Sequence, residues 1–382
     1  MDALERDYSP VLLADHEPPC LSLYQPTHRH HPDNQQDPIR FRNSLKVLEA
    51  SLRQKYATRE VRPLLAPFRI LAEDRAFWNH TLDGLAVLAT SGLFKIYRLQ
   101  RSVPELAVVA DSFHTKPLLR ILQSADRYQI LGLNRHEMRL FEGNRDAVDE
   151  IEPLPEVPRT IADVIAEQTG EPERKNRVYG PAAPGGTTRQ GTDVREEGLA
   201  SDTERFFRAI DRAVLEQYSR PSGMPLLLAA LPEHHHLFRT VSRNPFLAAE
   251  VIDTYPADLS LDALRERAWQ LILPHYLERL SGLIERFHAA KSNGLGADDL
   301  AEIATVAAAG RIAMLLIDAD REIPGTFDVA TGAIRRGDLD HPEVDDLLDD
   351  LGERALRTGS EVVIVPSARM PTETGIAAIY RF

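Results

Sequence analysis

Residues 128 to 141 run Tyr128-Gln129-Ile130-Leu131-Gly132-Leu133-Asn134-Arg135-His136-Glu137-Met138-Arg139-Leu140-Phe141. Two apolar-rich runs, Tyr128 to Leu133 and Glu137 to Phe141, flank the polar turn Asn134-Arg135-His136, and Glu142-Gly143-Asn144 makes the next turn. Residues of this kind around a short polar break read as a β-hairpin. Downstream, a short helix from Ile161 to Gln168 ends near Gly170, and a helical stripe of Phe206, Ile210, Ala213, Val214 and Tyr218 resumes after Asp202. Leu226 to Ala230 then reads as a buried strand, followed by a helix through Leu237, the strand-like Val251-Ile252-Asp253 and a long helix capped by Ser260. Pro274 lies inside that helix and is expected to kink or divide it.

On the N-terminal side, Cys20-Leu21-Ser22-Leu23-Tyr24 reads as a strand, and Phe41, Leu45, Leu48, Leu52 and Tyr56 recur at helical spacing. Gly84 to Thr90 and Leu93 to Leu99 form a hairpin around Ser91-Gly92, and Leu106 to Ala110 forms a third strand. After Ser292-Asn293-Gly294-Leu295-Gly296 the pattern alternates: helix from Asp299 to Ala309, strand from Ile312 to Ile317, helix from Pro342 to Arg357, strand from Glu361 to Val365, and a last strand from Gly375 to Arg381. The expectation is a mixed α/β (α+β) chain of three domains, residues 1–124, 125–292 and 293–382, the last a small αβα sandwich.

A chain of 382 residues with 43% hydrophobic content can bury more than one core. No apolar run reaches the length of a membrane helix, and Met1-Asp2-Ala3-Leu4-Glu5-Arg6-Asp7 lacks the basic-then-apolar plan of a secretory signal, so a cytoplasmic protein with no membrane partner is expected. The single cysteine, Cys20, excludes an internal disulfide and a cysteine zinc cluster, and reads as a packed small hydrophobe.

The net charge of −13 is unevenly spread. Between Gln35 and Arg62 there are seven basic residues (Arg40, Arg42, Lys46, Arg53, Lys55, Arg59, Arg62) and three acidic ones. Between Gly337 and Glu353 there are eight acidic residues (Asp338, Asp340, Glu343, Asp345, Asp346, Asp349, Asp350, Glu353) and no Lys or Arg. These runs read either as solvated helix faces or as surfaces for different partners.

His234-His235-His236 follows a buried strand, but adjacent residues of a helix point about 100° apart, so the three do not face one ion. His28-Arg29-His30-His31 falls in a polar loop and reads as a phosphate-touching or merely solvated surface. The sequence contains no nucleophile elbow, P-loop or dinucleotide fingerprint, and the hairpin offers only Glu137 where a ribonuclease H-type nuclease needs several carboxylates. No catalytic residue, metal site or cofactor is therefore expected. From Glu171 to Leu199 the apolar rhythm stops, and the stretch reads as one long loop. Between Arg174 and Thr192 it carries Arg174, Lys175, Arg177 and Arg189 with no acid, around Gly185-Gly186-Thr187-Thr188-Arg189-Gln190-Gly191. Glycine lets backbone approach RNA closely, and Arg and Gln bond phosphates and base edges, so this loop reads as a probe into a nucleic-acid cavity or as an ordinary insertion.

The hairpin, the glycine-rich loop, the helix with Phe206 and Phe207, and the strand ending at Pro232-Glu233-His234-His235-His236 together resemble the archaeo-eukaryotic peptide release factors and Pelota, most of all their bacterial branch, which includes ribosome hibernation activity. The resemblance covers nearly the whole chain in domain order. It implies a ribonuclease H-like middle domain and a third domain similar to ribosomal protein L7Ae.

For function, the resemblance implies a ribosome-binding hibernation or rescue factor that enters the A site of the 70S ribosome. Arg174, Lys175, Arg177, Gly185, Gly186, Thr187, Arg189 and Gln190 would face the peptidyl transferase centre. His28, Arg29, His30, His31, Arg40, Arg42 and Lys46 would face ribosomal RNA at the decoding side. Asp338, Asp340, Glu343, Asp345 and Asp346 would meet elongation factor Tu or another translational GTPase. Release factors of this family hydrolyse peptidyl-tRNA with a Gly-Gly-Gln tripeptide. Here Gly185-Gly186-Thr187 stands in its place and Gln190 follows three residues later, which implies occupancy without catalysis. Two alternatives stay open: a peptidyl-tRNA hydrolase using Gln190, and a stress-associated interaction module that no longer binds ribosomes.

Overall fold

The computed structural model describes residues 2–122, 126–169 and 191–382. The chain forms two compact units, one made of residues 1–125 with 278–382 and the other of residues 126–277.

The N-terminal segment contains α1 (Asp2–Asp7), β1 (Cys20–Pro26), α2 (Asp37–Leu52), α3 (Thr58–Glu73), α4 (Arg75–Trp78), β2 (Gly84–Thr90), β3 (Leu93–Leu99), β4 (Leu106–Ala110) and α5 (Lys116–Leu122). Its antiparallel sheet has the order β3-β2-β1-β4. Side chains alternate across a strand, and β1 uses both faces. Leu21 and Leu23 pack with Leu85 and Val87 against Phe41, Leu45 and Leu48 of α2 and Leu65 and Phe68 of α3. Cys20 and Tyr24 point the other way, into a core shared with the C-terminal segment. Cys20 is fully buried there and its thiol is pushed up to about 12, first by burial, so it is a packing residue. The helix α3 carries Pro63 and Pro67 internally, and its pattern is not among those read from the sequence.

The middle unit contains β5 (Tyr128–Leu133), β6 (Met138–Gly143), β7 (Val148–Ile151), α6 (Ile161–Thr169), α7 (Gly191–Val214), α8 (Arg220–Ser222), β8 (Leu226–Ala229), α9 (Pro232–Val241), β9 (Leu247–Ile252) and the start of α10 (Leu261–Ser292). Its sheet has the order β7-β6-β5-β8-β9, antiparallel through the expected hairpin and parallel from β5 to β8 and β8 to β9. One face, with Leu131, Leu133, Leu226 and Leu228, packs on Phe206, Phe207 and Ile210 of α7 and Phe238 of α9. The other, with Tyr128, Ile130, Leu227 and Ala229, packs on Leu264, Ala268 and Ile272 of α10. Gly132 in the hairpin is required by a close approach: a Cβ there would lie 2.7 Å from Pro256 Cγ. Two expectations are corrected. The helix expected after Asp202 already begins at Gly191, within the stretch read as a loop. Of the kink or division expected at Pro274, the division does not occur, since α10 runs through it for 32 residues.

The C-terminal segment contains β10 (Gly296–Ala297), α11 (Leu300–Ala308), β11 (Ile312–Asp318), β12 (Pro324–Phe327), β13 (Ile334–Arg336), β14 (Asp345–Asp346), α12 (Leu347–Arg357), β15 (Glu361–Val365) and β16 (Ile376–Tyr380). The main sheet has the order β10-β16-β11-β15 and a smaller one β13-β12-β14. Asp299 caps α11 by accepting from the N–H groups of Ala301 and Glu302. The helix expected from Pro342 starts at Leu347, because Asp345 and Asp346 pair with β12 and Asp346 caps α12 through the Leu348 N–H. Residues 1–124 and 293–382, read from sequence as separate domains, thus lie in one unit, where Phe113 and Leu118 share a core with Leu347 and Leu351.

Candidate functional site

The basic run folds onto α2, the turn after it and the start of α3. Phe41, Leu45, Leu48 and Leu52 take the inner face of α2, which leaves Arg42, Lys46, Ile39 and Val47 exposed. Lys46 contacts only Asn43 Oδ1, at 3.4 Å, and Arg62 on α3 makes no ion pair among the described residues. Arg42 pairs loosely with Glu73 at 3.4 Å, both side chains exposed. Exposed pairs of this kind stabilise by about 0–1 kcal/mol and release their cation readily to a phosphate.

The residues expected beside these divide into two groups. His30 and His31 are exposed, His31 bonded to Gln35 at 2.8 Å. His28, Arg29 and Arg40 serve the fold instead. Asp37 is fully buried at the start of α2, and it accepts from both the backbone N–H and the Nδ1 of His28 at 2.8 Å, with Arg40 at 3.4 Å. Arg29 grips Asp83 with Nε at 2.9 Å and Nη2 at 2.7 Å. Of the residues expected on the decoding side, His30, His31, Arg42 and Lys46 are exposed, and Arg53, Lys55, Arg59 and Arg62 of the same basic run are exposed as well.

The acidic run behaves differently. Asp338, Asp340 and Glu343 are exposed, Glu343 bonded to Lys55. Asp345 and Asp346, expected on the same partner-facing surface, are buried at 3% and 0% exposure, as are Asp349 and Glu353. The correction has a physical reason: their partners arrive from the turn before α5 and from its first residue, Lys116. His114 Nδ1 contacts Asp345 Oδ1 at 2.7 Å, and Lys116 Nζ bonds Asp346 Oδ2. Asp349 Oδ1 accepts from the N–H groups of Thr115, at 2.9 Å, and Lys116. Thr115 Oγ1 also donates to Glu353 Oε1 at 3.2 Å.

Burial dominates the ionisation of this cluster. It pushes the Asp349 carboxyl up to about 7 and holds the Asp350 and Glu353 carboxyls well above the usual range. His114 is opposed by burial, but Asp345 and Asp349 outweigh it and raise the imidazole to about 9. The local sequence explains the arrangement only in part. Asp346 is an N-cap and Asp349 a first-turn acid, both favoured at a helix start, whereas the cations that meet them lie more than two hundred residues away.

In the middle unit the three histidines open α9 and do not converge. His234 is buried against Phe207, His235 lies 3.2 Å from Asp253, and His236 is exposed. Glu137 accepts from the Tyr255 hydroxyl at 2.7 Å, and no nearby carboxylate joins it to make a nuclease centre among the described residues. Arg174, Lys175, Arg177, Gly185, Gly186, Thr187, Arg189 and Gln190 lie outside the described residues. Among the described residues no helix is long and apolar enough to cross a membrane.

Residues 127–311 match the model of bacterial archaeo-eukaryotic release factor family 3. Over that stretch the chain is similar to the bacterial archaeo-eukaryotic release factors. Among solved structures it is similar to the archaeal translation termination factor aRF1, at 15% identity over 100% of this chain and 98% of that one, with a TM-score of 0.28. Dom34 of S. cerevisiae, a translation termination-like factor that interacts with Hbs1, is 12% identical over 76% of this chain and 73% of its own, with a TM-score of 0.41. The archaeal Pelota seen ribosome-bound with ABCE1 is 12% identical over 100% and 94%, with a TM-score of 0.40. No curated protein matches.

Proposed function

We propose that this chain is a ribosome-binding hibernation or rescue factor that occupies the A site of the 70S ribosome without catalysis. The observation that carries the reading is the match of residues 127–311 to a release-factor family, whose chemistry is performed on the ribosome. The exposed Arg42, Lys46 and Arg62 on α2 and α3 support it, because a cationic helix face suits ribosomal RNA and binds by displacing counterions. In this reading His30 and His31 join that face, and the cationic residues Arg174, Lys175, Arg177 and Arg189 extend towards the peptidyl transferase centre. Gly185-Gly186-Thr187 in place of Gly-Gly-Gln removes the glutamine that family members use for hydrolysis. The exposed acids Asp338 and Asp340 remain available to a translational GTPase such as elongation factor Tu. Cytoplasmic residence follows from ribosome binding.

The test is co-sedimentation with vacant 70S ribosomes at low and moderate salt, with and without elongation factor Tu and GTP, run beside a peptidyl-tRNA release assay. Saturable, salt-sensitive binding without peptide release is the expected result. Release that Gln190→Ala abolishes would convert the assignment to a hydrolase. Failure to bind under every condition would leave only protein partners.

A further inference from the structure

The two edges of the N-terminal sheet differ. At one edge β4 has α2 and β14 packed beside it. At the other, β3 pairs with β2 over all seven of its residues and has no strand on its outer side. Alternate backbone N–H and C=O groups of such an edge point away from the ladder and can template another strand. Edges are commonly guarded by proline, a bulge or an inward-pointing lysine. Here β3 contains no proline and its register with β2 is unbroken. Lys95 is no guard either, because Asp7 holds its Nζ at 2.8 Å and neutralises it. Ile96, at the centre of the strand, is 37% exposed.

A groove of about 380 Å³ follows one half of this edge. Ile96 and Arg98 line it from one face of β3, and Tyr97 and Leu99 from the other, so it straddles the edge instead of lying on a face. Leu4 of α1 and Phe77 of α4 form its walls, and Leu93, Phe94 and Lys95 take no part in it.

The strand is complementary to itself. When Leu93-Phe94-Lys95-Ile96-Tyr97-Arg98-Leu99 is laid antiparallel on a second copy about Ile96, Ile96 meets the partner's Ile96 and Leu93 meets the partner's Leu99. Phe94 then meets the partner's Arg98, and Lys95 the partner's Tyr97. Every pair is apolar with apolar or aromatic with cation, combinations that stabilise cross-strand neighbours about 4.5–5.5 Å apart. Arg98 is suited to this, since it makes no ion pair among the described residues and already lies over the Phe77 ring, 4.7 Å from its centroid. The two Arg98 side chains are offset by four residues, about 14 Å, which is beyond a Debye length. The register also clears the walls: the half of β3 that carries the groove receives the half that has none.

We propose that β3 is the contact strand of a two-fold dimer, pairing antiparallel with β3 of a second copy about Ile96 and joining two four-stranded sheets into one. The proposal does not rest on the ribosomal reading.

The test is sedimentation equilibrium of the full chain at concentrations up to about 0.1 mM. The wild-type protein should pass from one copy to two as concentration rises. Ile96→Lys sets two like charges against each other at the two-fold axis, and should weaken association at least tenfold without lowering the melting temperature. Under mild oxidation Ile96→Cys should cross-link into a dimer, because directly opposite residues lie within disulfide reach, whereas Arg98→Cys should not. Should Ile96→Lys fail to fold, the cross-link decides. A wild-type protein that stays single at every concentration overturns the proposal, as does a dimer that Ile96→Lys leaves intact or one that cross-links through position 98 and not through position 96.

Discussion

The basic run from Gln35 to Arg62 and the acidic run from Gly337 to Glu353 look like mirror images in the sequence, yet the structure uses them in opposite ways. In the basic run, apolar residues at helical spacing claim the inner face of α2, so Arg42 and Lys46 remain in water. In the acidic run Asp345, Asp346, Asp349 and Glu353 go inside, and only its first members, such as Asp338 and Asp340, stay out. The difference teaches that a charge run is a surface only if nothing elsewhere in the chain comes to meet it. His114, Thr115 and Lys116 come to meet the acidic run.

The largest effect is expected at Lys116. Its Nζ bonds the buried Asp346, so Lys116→Met leaves a buried carboxylate uncompensated and should destabilise the protein by about 3–5 kcal/mol in urea titration. A loss below about 1 kcal/mol would mean that Asp346 is effectively neutral, since a neutral acid needs no counter-ion.

Reversing the exposed run should act on binding rather than folding. Arg42→Glu, Lys46→Glu and Arg62→Glu together should leave stability within about 0.5 kcal/mol. The same change should weaken ribosome affinity by at least about tenfold, or about 1.4 kcal/mol, and flatten its salt dependence. Equal affinity at all salt concentrations would remove this face from the binding account.

His234 separates burial from pairing. Burial is the largest influence on it and lowers its imidazole below the ordinary 6.5, with Glu233 opposing. A histidine kept neutral in the fold stabilises above its unfolded value and loses that contribution as pH falls below it. Thermal melts should therefore show stability declining on acidification below about pH 6.5, and His234→Gln should remove part of that slope. An unchanged slope would assign the acid sensitivity to other groups.

The smallest effect is expected where the two runs touch at the surface. Lys55 and Glu343 pair while about half exposed, so Lys55→Ala should shift the urea midpoint by no more than replicate scatter. A clear shift would show that surface pairing contributes to joining the segments.

Much of the fold is legible in the order of residues along the chain. The strands Gly84–Thr90, Leu93–Leu99 and Tyr128–Leu133 follow from apolar runs bounded by turn residues, and the structure has them at those bounds. Local chemistry carries such elements, so local reading finds them. The helix α3 is hidden because Pro63 and Pro67 punctuate it, and the start of α12 is misplaced because Asp346 is a cap rather than a helical residue. The buried cluster is illegible for a different reason: Asp345 and His114 are 231 positions apart, and no window along the chain contains both. Of the decoding-side candidates, His28, Arg29 and Arg40 are committed to Asp37 and Asp83, again through pairings that composition does not reveal.

Competition with aminoacyl-tRNA distinguishes A-site occupancy without chemistry from binding elsewhere on the ribosome. Aminoacyl-tRNA delivery to the A site of programmed 70S ribosomes should fall as the protein is added, with an inhibition constant that matches its own ribosome affinity and with no release of peptide. Undiminished delivery at concentrations that saturate ribosome binding would contradict the account and place the protein elsewhere on the ribosome.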